Sequence, residues 1–95
     1  MIISFGDKET ENFYETGESA EIPINIQERL KEQLDFLDEV SSFQQLKEAP
    51  RGYRLHKLKG DLKDLYSISV NMKYRAIFNY DGRDAHIVEL TNHYK

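Results

Sequence analysis

The apolar spacing of this chain changes period once, at Ala49-Pro50-Arg51-Gly52. Before that breaker, Ile26, Leu30, Leu34 and Leu37 recur at intervals of four, four and three, and Phe36 and Val40 widen the stripe. This spacing predicts an amphipathic helix, capped by Asn25 and running to about Val40. After the breaker the period is two. Tyr66, Ile68 and Val70 alternate with Ser67 and Ser69, and Tyr74, Ala76, Phe78 and Tyr80 alternate with Arg75, Ile77 and Asn79. One segment cannot satisfy both periods, so helices precede a sheet, and each must bury its apolar side against the other.

The remaining elements follow from local chemistry. Ile2 to Phe5 reads as a short strand. Asp7 is a suitable N-cap for a helix over Lys8 to Thr16, and Gly17 ends it. Ser42 caps a short turn through Leu46. Tyr53 to Leu58 is expected to be a strand, with a turn at Gly60-Asp61 and a tight connection at Asn71-Met72-Lys73. Asp81-Gly82-Arg83-Asp84 is a hairpin signal leading into a last strand, Ala85 to Thr91. The expectation is an α+β fold of order β-α-α-β-β-β-β, with two N-terminal helices on a mostly antiparallel sheet whose last three strands form a meander. Residues 1–95 are expected to form one domain with a modest core.

Charge is unevenly spread. Residues 47–75 carry eight Lys/Arg against three Asp/Glu, whereas residues 1–46 carry three against eleven. The sequence pI near 5.3 therefore conceals a basic middle beside an acidic N-terminal half. That asymmetry predicts one face for a polyanion and another for a different partner. The chain has no cysteine, hence no disulfide, thiol nucleophile or thiolate metal site. Its start lacks the apolar segment of a signal peptide, and no run approaches a membrane span. A cytoplasmic protein without membrane contact is expected.

Several chemistries lack their residues. There is no phosphate-binding GxxxxGK[ST] loop, GxGxxG turn or GxSxG elbow, and His56, His86 and His93 lack zinc-ligand spacing. What remains suits an RNA backbone. Metal-free cleavage of RNA needs a base for the 2′ proton, an acid for the 5′ oxygen and cations beside the phosphate oxygens. His56, Lys57, Lys59, Arg75, His93 and Tyr94 supply those types. Each also has a plainer role. His56 suits a half-exposed strand surface, Lys57, Lys59 and Lys63 a solvated face, and Arg75 an internal ion pair. Tyr66 and Tyr74 suit packing between helix and sheet, His86 a structural position, and His93-Tyr94 a tail.

Four segments together carry a resemblance. Arg54-Leu-His-Lys-Leu-Lys-Gly-Asp, Tyr66-Ser-Ile-Ser-Val-Asn, Tyr74-Arg75-Ala-Ile-Phe and Val88-Glu-Leu-Thr-Asn-His-Tyr resemble the HigB branch of the RelE/ParE toxin superfamily. The opening Ser4-Phe5-Gly6-Asp7-Lys8-Glu9-Thr10-Glu11 is similar as well, so the likeness covers nearly the whole chain in order. It implies a bacterial type II toxin that cleaves mRNA at the ribosome, needs no cofactor and is neutralised by a helix-turn-helix, HigA-like antitoxin. Operator DNA would be met only through that antitoxin. By the same resemblance His56 is an acid/base, and Lys59 and Arg75 lie near the scissile phosphate. His93 and Tyr94 complete the catalytic set, with Arg54, Lys57, Lys63, Lys73 and Asn92 on the RNA. Known members read Asp-Tyr-His where this chain has Asn92-His93-Tyr94, and the net charge of −4 is a second departure. Two rival readings use the same fold: a non-catalytic module binding RNA or antitoxin, and a ParE-like gyrase inhibitor, which would not need His56 or His93.

Overall fold

The computed structural model describes residues 1–59 and 65–92. In chain order the elements are β1 (Ile2–Phe5), α1 (Lys8–Thr16), α2 (Ile24–Glu39), α3 (Phe43–Lys47), a 3-10 turn (Arg51–Tyr53), β2 (His56–Lys57), β3 (Leu65–Ser69), β4 (Arg75–Tyr80) and β5 (Ala85–Thr91). The strands form one sheet in the order β1-β5-β4-β3-β2. β1 runs parallel to β5 and every other pair is antiparallel, so the α+β expectation holds and β3 to β5 form the meander.

The helix boundaries follow their caps. Asp7 accepts a hydrogen bond from the Glu9 backbone N–H at 3.1 Å and another from the Thr10 hydroxyl at 2.7 Å. Gly17 ends α1 in the left-handed region at φ 80° and donates to the Phe13 carbonyl. α2 begins two residues earlier than expected. Pro23, with φ fixed at −52°, leads into it, and its carbonyl accepts from the Ile26 N–H at 3.1 Å. Asn25 therefore lies inside the first turn instead of capping it.

Ile26, Leu30, Leu34 and Leu37 of α2 are at most 1% exposed. They share one core with Phe13, Leu46 and Tyr53, and with Ile68, Val70, Ala76, Phe78, Tyr80, Ala85 and Ile87 of the sheet. Each such aliphatic side chain contributes about 1.5–3 kcal/mol by leaving water. Tyr66 stacks on Phe78 at 5.6 Å on the same side.

Two strands depart from the expected pattern. The run Tyr53 to Leu58 is extended only at His56 and Lys57. Tyr53 belongs to the 3-10 turn because its ring is held by α2: it packs edge-on against Phe36 at 5.5 Å and its hydroxyl donates to Glu32 at 3.4 Å. In β5 the alternation breaks at Val88, since Phe78 pairs with Ile87 while Ile77 pairs with Glu89. This bulge turns both Ile87 and Leu90 toward the core. His86 pairs with Asn79, so it shares the opposite face, and it is hydrogen-bonded to the Ser4 hydroxyl. The expected turn at Gly60-Asp61 lies outside the described residues, as do Lys63, His93 and Tyr94.

Burial pushes the Tyr14 hydroxyl up to about 12, with the Asp38 and Asp35 carboxylates adding to the effect. Burial also raises Tyr53 and Tyr80. A raised value means that the folded chain holds its proton where the unfolded chain has released it. Stability from this source is complete below pH 10 and is lost as pH climbs toward 12. Urea unfolding measured from pH 9 to 12 should show that decline, and Tyr14→Phe should make it shallower. An equal slope in the variant would remove Tyr14 from the account.

Candidate functional site

Ser67, near the middle of β3, organises the face of the sheet opposite the helices. It lies directly across from His56 on β2 and from Ile77 on β4. Directly opposed residues share a face, with Cβ atoms roughly 4.5–5.5 Å apart. Arg75, two residues before Ile77, points to the same face, and its Nε donates to the Ser67 hydroxyl at 2.5 Å. Arg75 Nη2 donates to the Arg54 carbonyl at 3.1 Å. One guanidinium thus links β4, β3 and the loop leading into β2. Ser67 is fully buried, Arg75 is half-buried, and His56 and Arg54 are exposed.

Arg54 is the one non-glycine residue with positive φ among the described residues, at 49°. Holding a side-chain-bearing residue there costs roughly 1–3 kcal/mol, and such strain collects at functional sites. The bond from Arg75 to its carbonyl helps fix that conformation. Just beyond it is a cleft of about 250 Å³ lined by Arg29, Gly52, Arg54, Asn71, Met72 and Arg75. Three arginines therefore border one cleft at the end of the sheet where β3 turns into β4.

The other expected site residues are more scattered. Lys57 points to the side opposite His56, as neighbours on a strand must, and pairs with Tyr66. It lines a separate groove of about 450 Å³ with Phe43, Lys47, Leu55 and Tyr66. The expected grouping of Lys57 with Lys59 and Arg75 on one face is thus divided by the strand's own alternation. Lys59 is exposed beyond the end of β2, and Lys73 is exposed on the β3–β4 turn. Asn92 is exposed directly after Thr91, the β5 partner of Arg75. The structure thereby brings together His56, Arg54 and Arg75. Among the described residues no three His, Cys, Asp or Glu side chains gather as a metal-binding group.

Sequence reasoning missed two residues. Ser67 was placed only on the face opposite Tyr66 and Ile68 and given no role, although two small hydroxyl residues where a wet strand carries long polar ones are a signal that something covers them. Arg29 was hidden by the acidic character of its helix. Its Nη2 donates to the Gly52 carbonyl at 3.1 Å and its guanidinium carbon lies 5.7 Å from the centre of the Tyr53 ring.

Comparison with known proteins gives a consistent answer. The family model described as RelE-like toxin of type II toxin-antitoxin system HigB matches residues 3–94. The chain is 39% identical over 84 residues to Toxin HigB-1 of Vibrio cholerae, covering 86% of this chain and 87% of that protein. It is 29% identical over 94 residues to Endoribonuclease HigB of Proteus vulgaris, covering 99% of this chain and all of that one. Among solved structures it is similar to YafQ from E. coli, with a TM-score of 0.67 at 10% identity over 98% of this chain and 94% of that one. It is also similar to the YoeB-YefM complex from Staphylococcus aureus, with a TM-score of 0.63 at 18% identity over 99% of each chain. These last two likenesses concern the fold.

The geometry makes Ser67 the anchor of Arg75. Ser67→Ala removes the hydroxyl and leaves a half-buried cation short of an acceptor. A bond to a charged group of this kind is worth about 1–3 kcal/mol, and each kcal/mol moves the Tm of a domain this size by roughly 4–8 °C. Thermal unfolding of Ser67→Ala should show a drop in that range. An unchanged Tm would mean that the bond adds nothing to stability.

Proposed function

The chain belongs to the HigB-like toxins, the RelE-like toxins of type II toxin–antitoxin systems, and on that footing we propose that it is a metal-independent, ribosome-dependent mRNA endonuclease of the cytoplasm. The observation that carries the reading is the Arg75 guanidinium, fixed by Ser67 and the Arg54 carbonyl on the face that also presents His56. Membership of a toxin–antitoxin family supplies an antitoxin partner. We propose that it is a HigA-like helix-turn-helix protein through which alone the toxin meets operator DNA. No helix among the described residues is long and apolar enough to cross a membrane.

The reaction asks for a pre-positioned set of groups. The 2′-OH attacks the adjacent phosphorus, the P–O5′ bond breaks, and a cyclic phosphate and a free 5′-OH result. A base removes the 2′ proton and an acid protonates the leaving 5′ oxygen. Negative charge grows on the non-bridging oxygens at the transition state. Arg75 meets that charge with donors already held in place, so little reorganisation is needed at the moment of reaction. His56 carries an imidazole that can take or give a proton, and it supplies one of the two proton transfers. His93 or Tyr94 supplies the other and Lys59 adds positive charge beside the phosphate. Exposure of His56 and Arg54 suits a substrate held by a larger partner, and the ribosome contributes the positioning of the scissile bond.

The test is mapping of mRNA cleavage on ribosomes. Arg75→Ala should lower the rate of cleavage about 10²–10³-fold, the cost of one lost transition-state donor. Arg75→Lys should not restore it, because a point charge cannot bridge two acceptors as a planar fork does. His56→Ala should lower it roughly 10²–10⁴-fold while the Tm and the complex with the antitoxin persist. Full cleavage by both alanine variants would overturn the assignment. A wild-type protein that arrests growth while leaving mRNA intact would point instead to a binding module or a gyrase inhibitor.

A further inference from the structure

The geometry points to the cleft among Arg29, Arg54 and Arg75 as a second phosphodiester seat. There Arg29 of α2 holds the backbone phosphate next to the one being cleaved in a single-stranded RNA. The inference rests on the reading of the chain as an RNA-cleaving toxin and adds a residue that neither the sequence pattern nor the family's site residues assign.

The loop carrying Gly52 to Arg54 is gripped from both sides. Arg29 donates to the Gly52 carbonyl at 3.1 Å, and Arg75 donates to the Arg54 carbonyl at 3.1 Å. Between those grips the chain bends through the left-handed conformation of Arg54, which lines the same cleft. Arg29 is further located by the face of Tyr53, which is itself buried. Two constraints on one guanidinium reduce the rotamer freedom that binding would otherwise remove. A guanidinium has five N–H donors in a rigid fork, and the bond to Gly52 uses one of them. The cleft's volume of about 250 Å³ accommodates a phosphate group but not a folded partner.

Charge supports an anion at this place. Arg29 and Lys31 are the only cations of α2, whose other charged residues are acidic. Lys31 points elsewhere and is paired with Asp35 at 2.8 Å. Arg29 instead borders one cleft with two further arginines, and like charges gathered around a cleft favour an anion that completes the set. Because Arg75 serves both the open face of the sheet and this cleft, an RNA backbone crossing it would meet the two places in succession.

Binding of a labelled single-stranded oligoribonucleotide with 2′-O-methyl groups, which cannot be cleaved, decides the matter when measured from 0.05 to 1 M salt. One phosphate contact on a single strand contributes about 0.7 to the slope of log affinity against log salt. Arg29→Gln should lower the slope by about that amount. Its binding should be roughly five-fold weaker at 0.1 M salt and converge on wild type near 1 M. Arg29→Lys should keep the slope, which separates lost charge from a lost tether on Gly52. Arg83→Gln, remote on the Asp81–Asp84 hairpin, should match wild type. If wild type binds the oligonucleotide and Arg29→Gln keeps its full slope, the seat is refuted and the endonuclease reading stands. If Arg83→Gln lowers the slope equally, the effect is bulk charge and the seat is likewise refuted. If wild type shows no salt-dependent binding at all, the seat is refuted, and the endonuclease reading is decided separately by cleavage of mRNA on ribosomes.

Discussion

A buried hydrogen bond fixes how α2 lies on the sheet. Gln33, fully buried on the helix, donates from Nε2 to the Ser69 carbonyl at 2.8 Å, at the end of β3. An apolar stripe alone would let a helix slide along a sheet at modest cost, because hydrophobic burial has no direction. A buried amide has direction, and losing its partner would cost about 1–3 kcal/mol. Gln33 Oε1 has no partner among the described residues, so the side chain is kept for where it holds the helix more than for full satisfaction. Asp38 adds a second tie at the other end of α2, where its Oδ1 accepts from the Ile2 N–H at 2.8 Å and so links the helix to β1.

That placement determines what stands at the end of the sheet. Arg29 precedes Gln33 by four residues, one turn along the same side of α2. With Gln33 anchored on Ser69, Arg29 arrives beside the Gly52–Arg54 loop, and Tyr53 is drawn down into the core against Phe36. The burial of Tyr53 forces the chain to turn before it can extend. The left-handed Arg54 is the consequence, and Arg75 stabilises it from the other side. The candidate face and the hydrophobic core are therefore parts of one arrangement. A change at Gln33 or Phe36 would reach the arginines without touching them.

The parts of this arrangement that depend on nearest neighbours were legible in the sequence. Asp7 and Gly17 bound α1 as expected, and Ser42 caps α3, because capping is a matter of a few adjacent residues. The alternation in β3 and β4 assigned their faces correctly, since a half-buried strand has only two sides. What escaped was set by distant contacts. Tyr53 to Leu58 has a strand's composition, but Tyr53 is claimed by α2. The bulge at Val88 arises where Gly6 approaches β5 so closely that a Cβ on Gly6 would meet the Val88 carbonyl at 2.9 Å. No local pattern announces that approach. At the candidate site the histidine and arginine could be named from their chemistry and from resemblance. Their grouping could not, because adjacent basic residues on a strand point to opposite sides. Lys57 and His56 are neighbours in sequence and lie on opposite faces of the sheet.

The same geometry explains how a chain with a net charge of −4 can present a cationic surface. The acidic residues lie mainly in α1, α2 and the segment between them, on the side of the sheet away from Ser67 and Arg75. Exposed charges farther apart than about 8–10 Å are largely screened at physiological salt, so the acidic side does little to cancel the field at the arginine cleft. With no net positive charge, the chain has no long-range field to steer free nucleic acid to this face. Capture then depends on short-range contacts at one small face, and such contacts are strongest when a larger assembly presents the strand in place. On the proposed reading, such a face suits RNA that another body has already brought within reach of Arg54 and Arg75.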